Sequence, residues 1–177
     1  MARREPAVGA RAGPVRSAVS DPMIPVPLTD LAADQIGPLL AASEAEGFAF
    51  VRRVVREWET GANRFAGDGE ALLGCFLDGR LVGICGLSRD PYLSDSTVGR
   101  LRNLYVLPAY RGRKIGRALA RRVIDLAGLS FRVLRLRAAN PKAAALYEHL
   151  GFAATPEFED CTHVMRFALP APTGARP

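Results

Sequence analysis

Two apolar runs, 70–77 and 80–87, meet at Asp78-Gly79. Asp-Gly between such runs is the strongest short-range signal for an antiparallel β-hairpin, so this stretch fixes one strand pair and its register. The rest of the chain must fold around that pair. Residues 23–27 read as a short edge strand rimmed by prolines. Thr29 or Asp30 is placed to cap a helix to about Glu46, with Ile36, Leu39 and Leu40 on its apolar face. A second helix is expected over 48–60, striped by Val51, Val54, Val55 and Trp58 and ended by Gly61. After a loop at 88–96 come a strand at 97–107 and a helix at 112–127 carrying Ile115, Leu119, Val123 and Leu126. An alternating strand follows at 131–138. Asn140 then caps a short helix, with Pro141 at its first position and Gly151 closing it. A final hairpin pairs 152–154 with about 163–169. The order β, α, α, β, β, β, α, β, α, β, β implies a mixed α/β sheet with helices on its faces.

A chain of 177 residues fits one domain with a real core. No window is long and apolar enough to span a bilayer, which implies a soluble protein. The net charge of +6 points to an anionic partner and makes its location matter. Eight basic residues fall between 100 and 122 with no acid among them: Arg100, Arg102, Arg111, Arg113, Lys114, Arg117, Arg121 and Arg122. Cys75, Cys85 and Cys161 form an odd set without a CxxC, against a disulfide framework or a zinc site and in keeping with a reducing cytoplasm. Residues 1–22 are Arg-rich and lack an apolar core, so they read as a disordered tail rather than a secretory signal; 170–177 read as a second tail.

The strand ending Leu104-Tyr105-Val106-Leu107-Pro108 runs through Ala109-Tyr110-Arg111-Gly112-Arg113-Lys114-Ile115-Gly116 into a helix. Gly112 and Gly116 let the backbone approach a ligand, and the first helical turn leaves N–H groups unpaired. A pyrophosphate is the expected guest, with Arg111, Arg113, Lys114 and Arg117 adding mobile positive charge. A plain strand–loop–helix with a solvated basic face explains this segment equally well. Its spacing is neither that of a dinucleotide fingerprint nor that of a Walker loop.

The stretch 134–152 decides between them. It is a strand, a capped helix and a Gly-Phe exit. Arg111 to Gly116 followed by Asn140, Ala143, Tyr147, Gly151 and Phe152 resembles, in order and separation, the GNAT superfamily of acetyl-CoA-dependent N-acetyltransferases. The resemblance covers roughly 23–169 and is sharp over about 98–152. Lys114 departs from it by standing where the loop usually has its first glycine, which a negative φ would accommodate.

The resemblance implies a mostly antiparallel central sheet of about seven strands, flanked by helices, with one pair of strands splayed apart. It implies acetyl-CoA as co-substrate, with no metal. The backbone of Leu104, Tyr105 and Val106 would pair with the pantetheine arm, Asn140 would hydrogen-bond it, and N–H groups from Arg111 through Gly112, Arg113, Lys114, Ile115 and Gly116 to Arg117 would hold the pyrophosphate. Tyr147 matches the family's general acid, a phenol that stays protonated at neutral pH. The strand before the loop, Val98-Gly99-Arg100-Leu101-Arg102-Asn103, lacks the glutamate base many members carry, which leaves a water chain, Glu70, Asp90, Asp160 or His163. The amine acceptor, small molecule or protein, would meet Trp58, Asn63, Arg64, Phe65, Asp90 and Tyr92, with Asp90 suiting a cationic amine. Three rivals remain: a non-catalytic acyl-CoA sensor, a nucleic-acid module using the basic stretch, which no readout motif supports, and a different acyl group on the same fold. Edge strands in the last hairpin fit a homodimer.

Overall fold

The computed structural model describes residues 23–155 and 160–168. The expected tails and Leu169 lie outside the described residues. In chain order the elements are β1 (Val26–Pro27), α1 (Ala33–Ala45), α2 (Phe50–Thr60), β2 (Ala71–Leu77), β3 (Arg80–Arg89), β4 (Val98–Val106), α3 (Ile115–Ser130), β5 (Val133–Leu136), α4 (Pro141–His149), β6 (Ala153–Ala154) and β7 (His163–Arg166). They build one 7-stranded sheet in the order β1-β2-β3-β4-β5-β7-β6. Every neighbouring pair is antiparallel except β4 and β5.

The hairpin forms as its turn chemistry requires. Leu77 pairs with Arg80, and Asp78 and Gly79 take φ values of 50° and 73°. Positive φ at both centres matches the right-handed twist of the flanking strands. Helices cover both faces. Gly83 of β3 faces Leu119 of α3, while Gly86, on the opposite face of the strand, lies under the Phe65 ring. A side chain at either position would collide with that packing.

Three helix starts differ from expectation, each for a local reason. Neither Thr29 nor Asp30 caps α1; the cap position is Ala32 without a side-chain bond, and Asp30 Oδ1 accepts from Leu31 N instead. α2 begins at Phe50 because Phe48 N–H still donates to Ser43 across the turn at Gly47 (φ 79°). α3 begins at Ile115 because Gly112 and Lys114 both have left-handed backbone, which a right-handed helix cannot include.

The parallel pair β4–β5 is brief: Val98, Gly99 and Arg100 pair with Val133, Leu134 and Arg135, and there the pairing ends. β4 continues to Val106 without β5 beside it, so the strands part toward their carboxyl ends. On its other edge β4 carries a bulge. Ile84 and Gly86 of β3 face Tyr105 and Arg102, so three steps on β4 match two on β3. Asn103 sits within that excess with φ 59°.

A buried ionic cluster marks the fork. The Asp90 side chain is fully enclosed, its Oδ2 receiving Arg100 at 3.2 Å and Arg135 at 3.0 Å. Arg135 also binds Asp160 at 3.0 Å, and Arg100 donates to the Asp160 carbonyl oxygen. The Tyr92 ring lies 4.7 Å from the Arg100 guanidinium. Removing one partner from such a cluster leaves an uncompensated buried charge. Asp90→Ala is expected to cost about 3 kcal/mol of unfolding free energy in urea titration, and a loss below about 1 kcal/mol would show that the cluster is not an internal clamp.

Candidate active site

The parted strands open a cavity of about 920 Å³ that runs from the loop before α3, along β4, to Phe50, Arg53, Pro91, Tyr92 and Arg100. Of the expected cofactor residues, Leu104, Tyr105, Val106, Arg111, Gly112 and Lys114 line it, as do Ile115, Gly116, Arg117 and Asn140. Arg113 does not; its guanidinium lies 5.4 Å from the Tyr110 ring.

At the loop end the first helical hydrogen bond of α3 runs from Ala118 N to Lys114 O, so the N–H groups of Ile115, Gly116 and Arg117 precede the intrahelical ladder. Gly112 (φ 79°) and Lys114 (φ 65°) bend the backbone left-handed just before them. Alternating backbone of this kind turns successive N–H groups toward one point and forms an anion-binding concavity. The negative φ that would make a non-glycine residue easy to accommodate at position 114 is not found: the lysine takes the glycine-like conformation itself. Left-handed backbone costs a non-glycine residue roughly 1–2 kcal/mol.

Arg111 is not mobile either. Its guanidinium donates to both Glu46 oxygens at 2.6 and 2.7 Å, and its Nε donates to Val106 O at 3.0 Å. The Tyr105 hydroxyl donates to the same Glu46 carboxylate at 2.6 Å. The Arg111 and Tyr105 hydrogen bonds hold the Glu46 carboxyl down at about 2. Burial, then the carboxylate, push the Tyr105 phenol up to about 12. These contacts latch the end of α1 onto the loop and occupy one of the carbonyls expected to face the pantetheine.

Tyr147 of α4 reaches the cavity wall, 6% exposed, packed edge-on against Phe152 with ring centroids 5.8 Å apart. Burial raises its phenol well above the ordinary tyrosine value, with the buried Cys85 adding to the effect. The hydroxyl is thus a proton-bearing donor across the neutral range. Asn140 Oδ1 caps α4 by accepting from Ala143 N at 2.9 Å, which leaves its amide N–H groups for a ligand.

The acceptor residues expected from sequence are only partly brought together. Tyr92 lines the cavity; Trp58, Asn63, Arg64 and Phe65 do not. Trp58 packs against the core, and the buried Phe65 belongs to it, lying against β3 at Gly86. Asn63 Oδ1 accepts from Phe65 N, and Arg64 Nε donates to Trp58 O, so both fasten the turn after α2. Asp90 is enclosed by arginines and cannot attract a cationic amine. Glu70 is taken up by the Gly67 and Arg89 amides, and His163 sits buried against Thr162 and Glu148. Sequence reading missed Glu46, Phe50 and Arg53, which tertiary packing of α1 and α2 brings to the cavity, and Asn103. The one signal for Asn103 was its residue type, since asparagine tolerates left-handed backbone.

A family model described as the acetyltransferase (GNAT) family matches residues 39–152. The chain belongs to this family. Among curated relatives, a Danio rerio N-acetylaspartate synthetase is 43% identical over 90 residues, 49% of this chain and 30% of that protein. Mycobacterium tuberculosis N-alpha-acetyltransferase RimI is 40% identical over 79 residues, 42% of this chain and 46% of that protein. The chain thus spans less than half the length of these relatives. A crystal structure described as an acetyltransferase from Exiguobacterium sp. 255-15 is 29% identical, with a TM-score of 0.71, covering 80% of this chain and 91% of that one. The GNAT fold explains the parted strands. Among the described residues no three His, Cys, Asp or Glu side chains gather as metal ligands, and no helix is long and apolar enough to cross a membrane.

Two stability outcomes follow for this GNAT loop. Lys114→Gly is expected to raise unfolding stability by about 1 kcal/mol, read by denaturant midpoint, because glycine adopts positive φ without strain. The Glu46 carboxyl is depressed in the fold, so its contribution is present above its ordinary value of 4.5 and is lost as pH falls toward about 2. Wild type should therefore exceed Glu46→Gln in stability at pH 7 by more than at pH 3; a gap independent of pH would refute the assignment.

Proposed function

We propose that the chain transfers an acetyl group from acetyl-CoA to a primary amine by direct attack. The observation that carries this reading is the single cavity joining the anion-binding loop of α3, the unpaired edge of β4 and the Tyr147 hydroxyl. The loop N–H groups hold the pyrophosphate, the free edge of β4 aligns the pantetheine arm, and the Asn140 amide adds a donor to it. The amine nitrogen forms the new bond to the acetyl carbon, the carbon–sulfur bond breaks, and the sulfur leaves as thiolate that takes a proton from Tyr147. Glu46, the one carboxylate among the described residues lining the cavity, is held by Arg111 and Tyr105 and is a poor base. The amine proton therefore passes to water in the cavity.

The two curated relatives carry names with unlike products, N-acetylaspartate in one and an N-alpha-acetylated substrate in the other, so they leave the acceptor open. A binding-only role is the second reading, favoured by the strained Lys114 and the absence of an unengaged carboxylate from the described cavity lining.

Acetyl-CoA should raise the melting temperature by mass action. Tyr147→Phe should lower kcat at least about tenfold while the Kd for CoA stays within about twofold, since a positioned acid contributes on the order of 10²–10⁴ in rate. Stabilisation by CoA without turnover of any amine would favour the binding-only role, and no stabilisation at all would end both readings.

A further inference from the structure

The acceptor end of the cavity has an unbalanced charge. Eight basic residues and one acid line the cavity as a whole. At that end Arg100 is paired with Asp90 at 3.2 Å and Asp160 at 3.8 Å. Arg102 is paired more weakly. It follows Arg100 by two residues on the same face of β4, and its side chain is only 19% exposed. Its one ion-pair contact among the described residues is Glu57 at 3.9 Å, beyond hydrogen-bond distance. Burial, opposed by Glu57 and reinforced by Arg53 and Arg100, pulls the guanidinium below the ordinary arginine value. Beside it, Asn103 Nδ2 is the buried side-chain polar atom that lacks a hydrogen-bond partner among the described residues, and Asn103 also lines the cavity. A buried donor without a partner is costly, and a largely buried guanidinium whose one carboxylate lies beyond hydrogen-bond distance is only partly compensated.

We infer that the acceptor is an amine bearing a carboxylate, and that Arg102 binds this carboxylate with Asn103 as a second donor. The inference rests on the acetyltransferase reading above. A guanidinium offers paired N–H groups in the geometry of a carboxylate, which a cationic or neutral amine cannot use. Position agrees as well. Arg102 precedes Leu104, where the cofactor arm begins its pairing, by roughly 7 Å along a strand. That span suits an amine and a carboxylate a few bonds apart on one small molecule. The same chemistry exists in a free acidic amino acid and in a peptide that begins with one.

The test is steady-state acetylation with L-aspartate, L-glutamate, their diamides, alkylamines of matched length, and peptides beginning with Asp or Glu. The carboxylate-bearing amines should exceed the amides and alkylamines at least tenfold in kcat/KM, and the free and peptide arms identify the source. Arg102→Gln should raise the acceptor KM at least tenfold and leave the KM for acetyl-CoA unchanged, with partial recovery in Arg102→Lys. Equal or better use of neutral or cationic amines by the wild type overturns the inference, as does an Arg102→Gln variant with an unaltered acceptor KM. Thermal stabilisation by acetyl-CoA is measured on the same samples. Stabilisation combined with a preference for uncharged amines sinks the carboxylate alone, whereas no stabilisation sinks the acetyltransferase reading.

Discussion

The site depends on where β4 and β5 stop pairing, and the buried Asp90 cluster fixes that point. Two adjacent parallel strands place Arg100 and Arg135 side by side, where their charges would repel. Asp90 between them, with Asp160 behind, turns that repulsion into a neutral clamp. A buried ionic cluster of this kind is weak support for overall stability, because desolvation offsets most of its Coulombic gain. Its effect here is geometric. It ties four separate segments together: the loop after β3, β4 at Arg100, β5 at Arg135, and the chain at Asp160. Beyond the clamp the pairing of β4 with β5 ends, and the cavity begins.

Two backbone irregularities then shape what the clamp has opened. Asn103 and Lys114 both adopt left-handed backbone, one at the bulge of β4 and one at the start of α3. Each breaks a local rule at a place where the cavity is lined, which is where strain is tolerated because the surroundings fix it. The bulge shifts the side-chain alternation of β4 between Arg102 and Tyr105. Tyr105 is thereby turned toward Glu46, and the Glu46–Arg111 contact holds the loop against α1.

Much of the frame was legible because its signals are local. Asp78-Gly79 specifies its turn through backbone preference alone, Gly61 ends α2 with φ 75°, and Asn140 caps α4 through its own side chain. Thr29 and Asp30 misled because a capping residue type says nothing about whether the next turn is helical; here the cap falls on Ala32. The end of the cavity at the loop and α4 was legible as a set of neighbours for a related reason, since it is built from two contiguous stretches of chain. The other end was not. Phe50 and Arg53 come from α2, Tyr92 from a loop and Arg102 from β4, and only packing brings them together. Trp58 near the end of α2 joins the core instead, and Phe65 in the turn after it packs over the sheet at Gly86.

The sign of the charge at that end shows why counting residues along the chain misleads. Asp90 next to an exposed loop reads as an attractive site for a cation, and the basic run after it reads as an extended patch for an anion. In the fold each acid near the fork is spent on an arginine, and most of the basic run points to the loop or to the helix that follows. A charge acts on a ligand only to the extent that the protein has not already balanced it, and the balance depends on which groups the fold brings together rather than on their order along the chain. Asp90 is compensated at 3.0 Å and 3.2 Å, while Arg102 faces its nearest carboxylate at 3.9 Å. Asp90 is fully enclosed and shared by two arginines, while Arg102 lines the cavity with one looser carboxylate partner, so an incoming molecule meets positive rather than negative charge there.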